Sequence, residues 1–411
     1  MDENRTNGIY YGIDIGEKAT LFSYFRKGLE EPVTLSTVMG SEIYQIPTYL
    51  AKKRGVGQWF FGNDAIRQVQ LSLAVGVDGL LEKARNKEYV MIDTEEYPAE
   101  DLLLIYLKKL LLLPGRSSDM PLAKLIITVD VLDEVAIGLF TVMATRMGLQ
   151  QKQLLLIDHR ESFYYYALSQ DPNLYLHDVA LFDYSQSNLK RCILKRNQTT
   201  RPQVVNLIYE NCGSVNFDKD KSFDEIIRQG FAGEIISSVY LIGDGFDGDW
   251  MKDSLKRLCQ GRRVFIGKNL YSKGACYAGM VRDGAIEWPF VYIGDNDLKL
   301  NLSLKVINKN EMDFVTLISA GESWYDAQGE CEVILDGTPE FECWVQSPDS
   351  RKSRTEVIEL SGLPERENRT TRLRISAKPR SDKEVCVTVY DMGFGELVPA
   401  TGRTWEKVVS L

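Results

Sequence analysis

YYGIDIGEKATLFSYFRKG, Tyr10 to Gly28, and VALFDYSQSNLKRCILKRN, Val179 to Asn197, carry one pattern twice. Each runs as a short apolar strand into an aspartate, Asp14 or Asp183, then through a polar turn into a second alternating strand. A strand–Asp–turn–strand unit repeated in one chain predicts two related α/β halves facing a shared cleft. An aspartate at such a strand tip can hold a hydrated metal ion beside a polyphosphate. The turn behind it needs small residues, so that backbone N–H groups reach phosphate oxygens closely. The first turn keeps Gly16; the second, Tyr184-Ser185-Gln186-Ser187-Asn188, has no glycine.

Composition narrows the function classes. At 411 residues the chain has room for two or three domains, and 44% hydrophobic with 26% charged residues makes it globular. A net charge of −9 argues against general nucleic-acid binding, which needs a clustered positive face. The apolar run Leu102 to Leu113 is broken by Lys108 and Lys109 and is too short to span a bilayer. The polar start leads straight into a strand, without the pattern of a secretory signal. Seven cysteines without a CxxC, and only two histidines, speak against structural zinc and for free thiols in a cytoplasmic setting. His159 and His177 read as ordinary polar residues.

Helices alternate with strands up to about residue 287, predicting a mostly parallel sheet arrangement covered by helices. From residue 288 onward the pattern is strands alone, about eight of them, which predicts an antiparallel sandwich. The expected domains are 1–287, with halves at about 1–150 and 151–287, and 288–411. Expected helices include 97–113, 222–237 and 250–259. Gly243-Asp244-Gly245-Phe246-Asp247-Gly248 matches GxGxxG after a strand and is expected to open a helix. It reads as a dinucleotide turn, as a nucleotide-contacting loop of another fold, or as a turn that needs close backbone approach.

The order of these pieces resembles the actin-like ATPases, specifically the heat-shock seventy-kilodalton chaperones. GIDIGEKAT from Gly12 is similar to that family's first phosphate loop, and Asp183 to Asn188 to its second. IPTYLAKKRGVGQWFFGNDA, PAEDLLLIYLKKL, LIITVD and DEVAIGLFTVMATRMGL follow in the family's order. Arg160 to Leu168 resembles its NEPTAAALAY helix, LIGDGFDGDW its adenosine loop, and VIELSGLPERENRTTRLRISAKP its peptide-binding β-domain. The resemblance implies an α/β fold with a duplicated ribonuclease-H-like domain, followed by an all-β sandwich. It implies ATP or ADP with Mg as ligand, with none as the alternative. Its contacts would come from Asp14, Gly16, Lys18, Asp183, Ser185, Gly243, Asp244 and Gly245, with Asp14 on the metal. It implies that Glu161 positions the catalytic water; the residue also reads as a helix glutamate stabilised by the dipole.

The departures set the expected function. Without glycine in Tyr184 to Asn188, side chains crowd the phosphate position, and Glu17 opposes a phosphate electrostatically. Only about thirty residues stand where the family has a subdomain clamping adenine, and the family's helical lid is expected to be missing. The expectation is a chaperone-like protein- or peptide-binding module with a non-hydrolysing nucleotide cleft. The alternatives are an active chaperone-type ATPase and an actin-like assembly scaffold. A protein or peptide partner is expected, with no nucleic acid and no membrane.

Overall fold

The computed structural model describes residues 8–36, 43–114, 120–185, 187–215, 218–309, 311–347, 353–396 and 398–411. The polar N-terminal stretch, Thr37 at the end of an expected strand, and Gln186 of the second turn lie outside them. The chain is mixed α/β and divides into two compact units. One holds residues to Asn197 with Val205–Pro289; the other holds Gln198–Val204 with Phe290–Leu411.

In the first unit, β1 (Ile9–Ile15), β2 (Ala19–Phe25), β3 (Val33–Thr34), β4 (Leu122–Val129) and β5 (Leu154–Asp158) line up as β5-β4-β1-β2-β3. A second sheet is built from β6 (Asp178–Ser185), β7 (Asn188–Asn197), β8 (Gln203–Gly213), β9 (Ile236–Ile242) and β10 (Arg263–Ile266). These five of its six strands run in the order β10-β9-β6-β7-β8. In each sheet the first strand pairs antiparallel with the second and parallel with the fourth, which pairs parallel with the fifth. The helices α1 (Glu134–Arg146), α2 (His159–Leu168), α3 (Lys219–Gly230), α4 (Asp253–Leu258) and α5 (Leu270–Arg282) pack with the sheets; α2 and α5 carry site residues. The last six residues of β4, Lys124 to Val129, are all buried, as expected of a parallel strand covered on both faces.

Two glycines let α5 approach closely. A Cβ on Gly12 of β1 would stand 2.2 Å from the Ser272 carbonyl oxygen of α5. One on Gly274 would stand 2.1 Å from the Ser162 carbonyl oxygen of α2. Small hydroxyl residues complete this seam: Ser23 Oγ lies 2.7 Å from Ser272 Oγ, and Ser162 donates to Thr128 at 2.8 Å.

Three expected helices begin elsewhere. The one over 97–113 starts at Ala99, because Glu95–Pro98 pairs with Tyr89–Ile92 as a hairpin. The one over 222–237 is α3, which starts three residues earlier, with Asp218 accepting from the Lys221 N–H as its cap, and ends at Gly230, so that Ile236 and Ser237 belong to β9. The one over 250–259 starts at Asp253, where the Asp220 carboxylate accepts from the Lys252, Asp253 and Ser254 N–H groups. Those bonds hold Asp220 well below the usual carboxylate range, although its partial burial pushes the other way. Between β3 and β4 lie a small sheet, Leu50–Lys53 with Trp59–Phe61 and Ala74–Val77, and the helices Gly62–Gln70, Leu80–Arg85 and Ala99–Leu110.

The second unit is a sandwich of two four-stranded antiparallel sheets. Its strands are β11 (Asn301–Asn308), β12 (Glu311–Ile318), β13 (Gly329–Leu335), β14 (Glu340–Gln346), β15 (Ser353–Glu359), β16 (Thr371–Ser381), β17 (Glu384–Asp391) and β18 (Thr404–Ser410). One sheet runs β12-β11-β14-β15, the other β13-β16-β17-β18. Alternate residues from both meet in the core, among them Leu302, Leu304, Val345, Ile375, Val387 and Val409. Below that core, Arg366 makes a bidentate pair with Asp391 at 2.9 and 2.8 Å. Asp391 also accepts from the Gly393 and Thr401 N–H groups at 3.0 and 2.8 Å. The carboxylate is therefore held far below its ordinary range, despite burial acting in the opposite sense.

All seven cysteines are free thiols; Cys259 is exposed, while Cys192, Cys276 and Cys343 are buried. Among the described residues, no helix is long and apolar enough to cross a membrane.

Candidate functional site

The tip of β1 places Asp14 on the His159 imidazole, and the tip of β6 places Asp183 on the hydroxyl of Tyr271, the ring stacked on that imidazole. His159 is the first residue of α2, directly after β5, and Asp158 caps that helix by accepting from the Glu161 N–H at 2.8 Å. His159 Nε2 lies 2.8 Å from Asp14 Oδ1, and Nδ1 lies 3.7 Å from Asp130. The ring stacks on Tyr271 of α5, with centroids 3.8 Å apart and planes 9° apart. Tyr271 donates its hydroxyl to Asp183 at 3.1 Å, and Ser185 donates to the other Asp183 oxygen at 2.5 Å. Lys190 reaches Asp130 at 3.1 Å. A cleft of about 240 Å³ opens beside this chain of contacts, lined by Asp130, His159, Asp183, Lys190 and Tyr271 among others.

The electrostatics follow the geometry. Burial favours the neutral imidazole, but Asp14, with Asp130 and Asp183 behind it, more than offsets this and raises His159 above its ordinary value. Asp183 is raised by burial, with Ser185, His159 and Tyr271 opposing. Burial, reinforced by Asp183, raises Tyr271 well above the usual phenol range. A histidine raised on folding stabilises the fold fully below its unfolded value, near pH 6.5, and the contribution fades as pH rises through the folded value. The melting temperature of the wild type is therefore expected to fall as pH rises from about 6.5, and His159→Gln is expected to flatten that slope. Equal slopes in the two proteins would remove the charged imidazole from the account.

The residues expected from sequence are distributed as follows. Asp14, Asp183 and Ser185 join the chain of contacts. Gly16 is turned into its own hairpin: its N–H donates to Ala19 O at 3.0 Å, and its carbonyl accepts from Thr48 at 2.7 Å. Glu17 accepts from the Glu82 N–H at 3.1 Å, and Lys18 is exposed. The β6–β7 pairing runs through Ser185 and Asn188, with Ser187 at φ +62°. Glu161 is buried along α2, with its carboxylate 3.2 Å from Arg282, and is not among the residues lining the cleft.

Gly243-Asp244-Gly245 opens a single 3₁₀ turn, Asp244–Phe246, instead of a helix. A Cβ on Gly243, which has φ +98°, would meet Tyr184 O at 2.5 Å; one on Gly245 would meet the Tyr184 ring at 2.3 Å. Gly243 makes room for the Tyr184 backbone carbonyl and Gly245 for the Tyr184 ring. Tyr184 packs there edge-on to Phe246 and Trp250, and Trp250 Nε1 donates to Gly245 O at 3.0 Å.

This donor set does not fit a magnesium polyphosphate. The Asp14 oxygen is engaged by an imidazole, the Gly16 N–H is used within its hairpin, and the glycine turn of the second half is filled by Tyr184. Among the described residues, no group of three or more His, Cys, Asp or Glu side chains is placed to hold a metal ion. The sequence reading missed His159 and Tyr271. The signal that finds His159 is positional: it follows β5, the parallel strand beyond β4, and opens the next helix within reach of the β1 tip.

A family model described as "Family of unknown function (DUF5716) C-terminal" matches residues 31–295. The chain belongs to this DUF5716 family. The matched DUF5716 region contains His159, Asp183 and Tyr271, while Asp14 precedes it. A second model, "Domain of unknown function (DUF8552)", matches residues 297–411, the sandwich strands. No curated protein matches the chain.

Proposed function

We propose that this protein is a chaperone-like protein- or peptide-binding module whose actin-type cleft does not turn over nucleotide. The observation that carries the reading is the imidazole of His159 on Asp14, at the strand tip where a metal-bound phosphate would need open space. The identical strand order of the two sheets supports a duplicated, ribonuclease-H-like origin for the first unit. The filled glycine turn supports loss of adenosine contact. A sandwich following such a unit supports a partner-binding role, because extended segments add to sheet edges or lie on sheet faces.

Calorimetry with ATP and magnesium checks the cleft. The expected result is no binding tighter than about 1 mM, which corresponds to roughly −4 kcal/mol, and no phosphate release above buffer. Micromolar affinity with steady release would overturn the non-catalytic reading.

A further inference from the structure

We infer that the outer face of the β12-β11-β14-β15 sheet docks a basic amphipathic helix of a partner protein. This rests on the proposed partner-binding role and names its surface. Ile307 and Met312 face each other across β11 and β12, with 63% and 61% of their surface exposed. Phe314 is 51% exposed and stands edge-on to Trp344 of β14, ring centroids 5.4 Å apart, while Val357 of β15 is 45% exposed. Large apolar side chains thus occur on all four strands of one sheet, with Lys305 opposite Phe314 and its ammonium 5.8 Å from the Trp344 ring, and Glu342 opposite Val357. Apolar groups gathered in this way mark a surface that another element covers. The element that covers a sheet face in protein architecture is a helix with an apolar stripe.

Charge chooses the occupant. Glu340 and Glu359 are direct cross-strand partners on β14 and β15, and Glu342 lies opposite Val357. Like charges placed opposite each other destabilise a sheet. Among the described residues none of these three glutamates has a basic partner, and all are exposed. Lysine or arginine on an incoming helix would neutralise that rim while its apolar stripe covers Met312, Phe314 and Trp344. A second copy of this chain, at net −9, brings the opposite of what the rim requires.

The test is selection of a displayed library of helical peptides against the full chain. The expected survivors carry apolar residues at i, i+3, i+4 and i+7 with lysine or arginine at one end. Met312→Glu and Phe314→Glu are expected to weaken a synthesised survivor at least about tenfold, as for residues central to an interface. The double variant Glu340→Gln with Glu359→Gln is expected to weaken it several-fold and flatten its salt dependence. Unchanged melting temperatures in these surface variants separate lost docking from lost folding. Survivors that bind the variants as they bind the wild type would overturn the surface and leave partner binding standing. Absence of any survivor, or dimers abolished by Met312→Glu, would overturn the proposed occupant. None of these outcomes depends on the nucleotide measurement.

Discussion

Gly274→Val is expected to leave the first unit unfolded at ordinary temperature. A glycine within a helix costs about 1 kcal/mol relative to alanine, so its presence in α5 needs a reason. The reason is the Ser162 backbone, whose carbonyl oxygen and carbon would lie 2.1 and 2.8 Å from a Cβ at this position. Those atoms belong to α2 and cannot swing aside as a side chain can; relief requires displacing the helix that carries His159. Overpacking that flexible side chains absorb costs roughly 1–3 kcal/mol, and forcing apart two backbones costs more. Set against a typical stability of about 5–15 kcal/mol, the effect is severe. Gly138 supplies the control: it lies in α1, and a Cβ there meets nothing within 4 Å. Gly138→Ala is expected to stabilise by roughly 0.5–1 kcal/mol. Circular dichroism melts of both variants check the pair, and a folded Gly274→Val with a near-native transition would refute the close-contact account.

Asp391→Asn is expected to destabilise the sandwich by about 3–5 kcal/mol, the usual cost of leaving one partner of a buried ion pair alone. The Asp391 side chain is fully buried and that of Arg366 is 9% exposed. The variant keeps the shape and loses the charge. It leaves a guanidinium facing an amide that cannot accept at both of its ends. Because Asp391 is depressed on folding, its contribution is present above the unfolded value of about 3.9 and disappears as pH falls through the folded value. Acid is therefore expected to destabilise the wild-type sandwich over that range and to affect Asp391→Asn less steeply. Hydrogen exchange of the β16 and β17 amides reads the loss directly. Asp336→Asn serves as comparison, since its partner Arg369 is 72% exposed and a solvated pair contributes little.

Much of the scaffold was legible because its signals are local. The strand–Asp–turn–strand segments at Tyr10 and Val179 become β1–β2 and β6–β7, and the strand-only pattern of the C-terminal region becomes the sandwich. Helix starts were less legible. Trp250 reads as helical by pattern, yet the Phe246–Trp250 stack and the Asp220 cap, thirty or so residues away, set the start at Asp253. The hairpin Tyr89–Pro98 was hidden because Tyr97 and Pro98 fell inside the helix expected over 97–113. The C-terminal strand β18 was also unread, since Thr404 to Ser410 mixes charge with its apolar alternation. In the site, strand tips announced Asp14 and Asp183. His159 and Tyr271 gave no such notice, because their meaning comes from a ring stack between two helices distant in sequence. The GxGxxG turn shows the close approach that one of its readings expected, with Tyr184 as the group that approaches.

The thiols offer a clock for breathing motions. Cys276 lies beneath Gly12, where a Cβ would stand 2.8 Å from its sulfur, Cys192 sits in the second sheet, and Cys343 lies in the sandwich core. Burial pushes all three thiols up, Cys343 to about 12, so alkylating reagents find no thiolate until that neighbourhood opens. With exposed Cys259 and the half-buried Cys212, Cys331 and Cys386 blocked first, three modification rates under native conditions would report three opening free energies in one sample. Each region of the chain thereby carries its own reporter, without a single engineered residue.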